Sequence, residues 1–149
     1  MTTQGQHLAE TFLAMVNTHD PDLVDRFVAE DYLNHNDFVA DGREANRQFW
    51  TAFFAALPDV SATMKDLVTS GDRVVGRFVY QGTHTGDFMG IPASGNPVEM
   101  RSIDIWRVED ALAESATFVE HWDELNLMQV FQQMGALPSL VGAGRGGQA

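Results

Sequence analysis

The segment Phe118-Val119-Glu120-His121-Trp122-Asp123 carries a histidine and a carboxylate two positions apart. On a strand such residues share a face, so His121 and Asp123 point one way while Glu120 and Trp122 point the other. On a concave, partly dry face an imidazole beside a carboxyl group can hold and donate a proton, with burial raising the aspartate pKa. The same spacing also suits an exposed strand face with ordinary solvated charges. One strand earlier, Met100, Ser102, Asp104 and Trp106 alternate onto a single face. An aspartate among apolar neighbours needs a partner if it is buried. It is either a pocket acid or a core-edge carboxylate paired with Arg101 or Arg107. Asn34-His35-Asn36 is a third polar cluster, suited either to orienting a substrate oxygen or to turn-type hydrogen bonding by asparagine. His121 and Asp123 could supply two metal ligands, but no third or fourth is evident, so no metal is expected.

The remaining candidates point to structure. His84 lies in Gly82-Thr83-His84-Thr85-Gly86, where a loop-facing structural role is expected, and His7 and His19 read as surface residues. The stretch from Gly86 to Gly90 lacks both the glycine spacing of a phosphate loop and a following Lys-Ser/Thr with a helix. Cysteine is absent, which removes disulfides, thiolate nucleophiles and cysteine-held metals, and Lys65 is the single lysine for Schiff-base chemistry.

The elements that must position these residues follow from periodicity. Leu8, Phe12, Met15 and Val16 fall on one face of a first helix running to about Asn17. Asp20-Pro21 opens a short second helix with Leu23, Val24, Phe27 and Val28 on its apolar side. Asp41 followed by Glu44 predicts a capping box for a third helix bearing Ala45, Phe49, Ala52, Phe53 and Ala56, stopped by Pro58. Period-two alternation then takes over: Val60 to Met64, Arg73 to Thr85, Val98 to Val108 and Thr117 to about Asp123, with Gly86 to Pro97 as loop. A last helix carries Leu127, Val130, Phe131 and Met134. Residues 1–138 read as one domain and 139–149 as a disordered glycine-rich tail. Helices, then long antiparallel strands, then a closing helix describe an α+β fold in which a curved sheet wraps helices around a cavity.

Composition narrows the function classes. The chain has 149 residues, 44% hydrophobic and 20% charged, as a single globular domain should. Nine Lys+Arg against 21 Asp+Glu give a net charge of −12, which disfavours nucleic acid and anionic membrane surfaces. The polar N-terminus and the lack of an apolar run near the ~20 residues of a membrane span lead to an expected cytoplasmic location.

Taken together, Gly82 to Pro92, Gly95, Ile103-Asp104-Ile105-Trp106-Arg107-Val108 and Val119-Glu120-His121-Trp122-Asp123 strongly resemble the SnoaL-like polyketide cyclase family. Tyr32 to Asn36, Gly42-Arg43-Glu44, Phe49-Trp50 and Gln133 to Pro138 fit as well, so the resemblance covers about Leu8 to Pro138. It implies a nuclear transport factor 2-like cone, with a curved, mostly antiparallel sheet packed on helices around a deep apolar pocket. It also implies a homodimer or homotetramer, a hydrophobic polyketide-like substrate, no metal and no organic cofactor. The implied reaction is an aldol-type ring closure in secondary metabolism, with Asp123 as acid/base and His121 in the same pocket. Asp104, His35, Asn36, Trp50, Ser102, Trp106 and Met100 are the expected pocket residues. Two features depart from the family pattern. Asp104 stands where some cyclases carry a pocket histidine, which sets up a coupled pair of acids. The link from Glu109 to Thr117 is longer than the usual tight turn. The same pocket would also suit an epoxide hydrolase, dehydratase, isomerase or oxygenation partner, or a non-catalytic binding protein.

Overall fold

A computed structural model describes residues 3–138; the predicted tail lies outside them. Helix α1 spans Gln4–Thr18, with the Thr3 hydroxyl accepting from the Gln6 N–H, and it buries the expected Leu8, Phe12, Met15 and Val16. A 3-10 helix follows at Pro21–Arg26, then β1 (Val28–Asn34), α2 (Arg43–Ala56), β2 (Ser61–Ser70), β3 (Arg73–Thr83), β4 (Pro97–Glu109), β5 (Thr117–Leu125) and α3 (Leu127–Gln133). The five strands form one sheet in the order β1-β5-β4-β3-β2, antiparallel except where β1 runs parallel to β5.

Two local expectations change. The helix after Pro21 stops at Arg26, because Phe27 gives its carbonyl to the Phe118 N–H (2.8 Å) and Val28 pairs with β5. Sheet pairing there overrides the apolar spacing of Phe27 and Val28. The capping box does not form either. Helix α2 starts at Arg43 behind Gly42, whose φ of 98° is open to glycine. Asp41 instead accepts from the Asn34 N–H (2.7 Å), tying the end of β1 to the approach of α2.

The sheet lays one face over the helices. On β4 burial alternates along the strand, with Val98, Met100, Ser102, Asp104, Trp106 and Val108 inward. Phe12 packs within 5.1–6.0 Å, ring centre to ring centre, of Phe27, Trp50, Phe78 and Trp106, joining α1, α2, the end of the 3-10 helix and two strands. Each such fully buried side chain contributes about 1.5–3 kcal/mol. His84 is fully buried rather than loop-facing and remains structural: its Nδ1 pairs with the Ser94 hydroxyl (2.9 Å). His19 is half-buried, its Nε2 2.6 Å from the Val60 carbonyl, whereas His7 is on the surface as expected. No described helix is long and apolar enough to cross a membrane.

Candidate active site

Between the inner sheet face and α1 and α2 lies a cavity with about 50 Å³ of free space. Its polar lining comes from Tyr32, Asn34, Asn36, Asn46, Ser102, Asp104, His121 and Asp123. Strand register assembles the group. Asp104 lies directly across from Asp123, and Trp106 across from His121, while Asn34 of β1 reaches His121 from the other side.

Asp104 is 4% exposed and fully engaged. One carboxylate oxygen meets His121 Nε2 at 2.8 Å; the other accepts from the Ser102 hydroxyl, which in turn pairs with the Tyr80 hydroxyl. His121 Nδ1 lies 3.0 Å from Asn34 Oδ1. That amide oxygen already accepts from the Asn36 N–H, so His121 Nδ1 is the donor in its own bond. Nε2 faces the Asp104 carboxylate. Both ring nitrogens are thereby occupied, and the rings of Tyr32 and Trp106 stack against the imidazole.

Asp123 is held differently. The Asn36 amide nitrogen donates to both of its oxygens (3.0 and 2.9 Å), while Asn36 Oδ1 accepts from the Phe38 N–H. Burial pushes the Asp123 pKa above the ordinary carboxylate value; His121 and Asn36 pull it back, and Asp104 adds to the rise. Asp123 therefore keeps lone pairs for an incoming ligand. Tyr32 is the second available group. Its hydroxyl oxygen accepts from Trp106 Nε1 (3.2 Å), and its own proton has no acceptor among the described residues. Burial raises the Tyr32 pKa well above its usual value, so the phenol stays a donor.

Of the residues singled out in the sequence, Asp123, His121, Asp104, Asn36, Trp50, Ser102, Trp106 and Met100 all line the cavity. His35 does not. Along the extended Asn34-His35-Asn36 run the side chains alternate, so His35 turns outward, stacks on Trp122 (4.9 Å) and meets Glu120 at 2.9 Å. Neither Arg101 nor Arg107 pairs with Asp104, because both sit on the opposite face with Gln129 and Glu120. Asn34, of the same polar triplet, does line the cavity, as do Tyr32 and Asn46, which lie outside the site residues the sequence singles out. The alternation that places Asn36 inward also places Asn34 and Tyr32 there, whereas Asn46 gives no such signal. Asp104 supplies the third donor that spacing alone did not show: ligand atoms of Asp104, His121 and Asp123 lie within 4.8 Å of one another. In this arrangement Asp104 and His121 bond to each other and to Ser102 and Asn34, and Asp123 bonds to Asn36.

A curved sheet closed over helices around an acid-lined cavity is the nuclear transport factor 2-like architecture. Residues 6–134 match the SnoaL-like polyketide cyclase profile, and the chain belongs to that family. Among solved structures, TsrD from Streptomyces laurentii is 36% identical, with 90% of this chain and 96% of that one covered and a TM-score of 0.81. IdmH from Streptomyces antibioticus, provisionally described as a polyketide cyclase, is 30% identical over 89% and 99% of the two chains, with a TM-score of 0.70. AclR from Streptomyces galilaeus, provisionally described as a hydroxylase, shares the fold at 22% identity and a TM-score of 0.80, covering 95% and 87%. No curated protein sequence matches the chain. Family membership implies a small-molecule substrate.

Proposed function

We propose that the protein is a cofactor-independent cyclase that closes a ring in a polyketide-like substrate by intramolecular aldol addition. The observation that carries this reading is the division among the polar groups. Asp104 and His121 satisfy each other, while the half-buried Asp123 carboxylate faces the cavity with its pKa raised. Asp123 removes the proton between two substrate carbonyls, and the enolate carbon attacks the acceptor carbonyl to form the carbon–carbon bond. The alkoxide then takes the proton back from Asp123, so no proton is gained or lost overall. The free Tyr32 O–H is a donor for that developing oxyanion. General acid–base help of about 10²–10⁴-fold together with alignment of the reacting ends suits a substrate whose α-proton is already acidic.

His121 takes a positioning role here, because both of its nitrogens are engaged by Asp104 and Asn34. Ligand cavities for molecules of polyketide size run to about 300–1,000 Å³, so binding displaces side chains at the mouth such as the half-buried Phe49 and Leu125. On the outer sheet face, Ile103 (51% exposed) and Ile105 join Trp122 in an apolar patch suited to a homodimer contact.

The test is mass spectrometry of a panel of linear polyketide esters with wild-type protein, Asp123→Asn and Tyr32→Phe, each with and without EDTA. Ring closure by wild type that resists the chelator and falls at least a hundredfold in Asp123→Asn is expected. Full activity in Asp123→Asn would sink the assignment.

A further inference from the structure

The wall of the cavity contributed by α2 contains a polar side chain that the hydrogen bonds of Asp104, His121 and Asp123 do not reach. Asn46 is 8% exposed and lines the same cavity as Asp123 and Tyr32. Its Oδ1 is sealed from solvent and has no hydrogen-bond partner among the described residues. Helix capping does not account for the residue, since its main-chain N–H bonds to the Gly42 carbonyl (3.2 Å) and leaves the side chain uninvolved. An unpaired buried amide oxygen forfeits its hydration without replacing it. A leucine of similar shape would carry no such cost, and it would suit the ring neighbours Phe49 and Trp50 better. No group among the described residues pairs with this amide oxygen, and the cavity that Asn46 lines is the side from which a partner can reach it.

We infer that Asn46 is a ligand-anchoring residue whose Oδ1 accepts a hydrogen bond from a hydroxyl, phenol or enol of the bound molecule. The rings of Phe12, Phe49 and Trp50 hold the adjoining carbon skeleton. The ligand class is thus a hydroxylated, largely apolar compound carrying a donor on the side that faces α2. This rests on the cavity being the substrate site but not on the ring-closing chemistry.

The experiment compares phenol with its isostere toluene by NMR titration of the Trp50 and Trp106 indole signals in wild type and Asn46→Leu. Thermal unfolding of both ligand-free proteins accompanies it. The wild type should prefer phenol, and Asn46→Leu should lower the phenol-to-toluene affinity ratio about fivefold or more while its melting temperature stays level or rises. Asn46→Ala repeats the ratio measurement if the leucine variant does not fold. An unchanged ratio overturns the inference. So does a folded Asn46→Leu protein melting several degrees lower, because the amide would then have a structural partner. Neither readout needs turnover, so failure here leaves ring closure standing, and absence of turnover leaves the anchor standing.

Discussion

Replacing Asn36 with alanine should make Asp123 harder to ionise, by an amount that follows from the geometry. The Asn36 amide nitrogen lies 3.0 and 2.9 Å from the two carboxylate oxygens, and it cannot turn over because its oxygen accepts from the Phe38 N–H at 2.8 Å. A hydrogen bond to a charged group is worth about 1.5–3 kcal/mol. Asp123 is only half-buried, so water replaces part of the loss and about 1 kcal/mol remains. At 1.36 kcal/mol per tenfold, that is about a fivefold change in the ionisation constant. The bond favours the charged form, and its loss therefore moves the titration midpoint to higher pH. Stability follows the same sign. Because burial already raises the folded pKa of Asp123, its contribution is fully present below the unfolded carboxylate range and lost as pH rises through the folded value. Asn36→Ala extends that window upward. The assay is ¹³C NMR titration of the aspartate carboxyl signals, with Asp123 assigned by its disappearance in Asp123→Asn. A midpoint that stays put or moves down in Asn36→Ala would refute the idea that this amide tunes the carboxylate.

Three further outcomes follow from burial and placement. His121→Leu strands the Asp104 carboxylate at 4% exposure and should cost about 3–5 kcal/mol in urea unfolding, with Asp104→Leu/His121→Leu recovering part of the loss. His35→Ala removes only outer-face contacts with Glu120 and Trp122, so turnover should stay within about twofold and stability within about 0.5 kcal/mol of wild type. Gly86→Ala would drive a methyl into the Ala55 carbonyl oxygen at the end of α2, and circular dichroism should show at least several degrees of lost thermal stability.

Periodicity alone was enough to find α1, the four antiparallel strands and the faces of β4 and β5, because each buries a single face against one core and the alternation survives in the residue types. Glu120 and Trp122 emerge opposite His121 and Asp123 for that reason. What periodicity does not carry is pairing between distant segments. Phe27 and Val28 have helix-like spacing, yet a parallel partner, β5, takes the Phe27 carbonyl and pairs with Val28, which ends the helix. Asp41 has the composition of a cap, yet the nearby Asn34 N–H takes its carboxylate. His35 shares a polar triplet with Asn34 and Asn36 and is turned to the other face by the pleat. Asn46 on α2 has no pattern at all; its unpaired oxygen becomes visible only once the sheet closes over it. The long link after Glu109 folds into hydrogen-bonded turns, Ala113 N–H to Asp110 and Ala116 N–H to Ala113, bordering the start of α1 with Leu112 fully exposed.

The acidic pair facing this cavity shows why a residue's type says less than its partner. Two aspartates opposite one another on adjacent strands would ordinarily raise each other's pKa and share a proton. Here Asp104 makes a diagonal hydrogen bond with His121 instead, and the Asn34 oxygen holds the other ring nitrogen as a donor. The Asp104–His121 pair is closed on itself by that bond. Its effect on Asp123 comes from two opposed influences, His121 lowering the pKa and Asp104 raising it, with burial outweighing both. A site with two acids and one histidine therefore presents one free carboxylate to the cavity, braced by a hydrogen-bonded pair. Ser102 and Tyr80 extend that brace through the sheet, since each hydroxyl finds its acceptor one step closer to Asp104. Rigidity of this kind suits a base that must meet an acidic carbon at one fixed place and receive the proton back after the ring has closed.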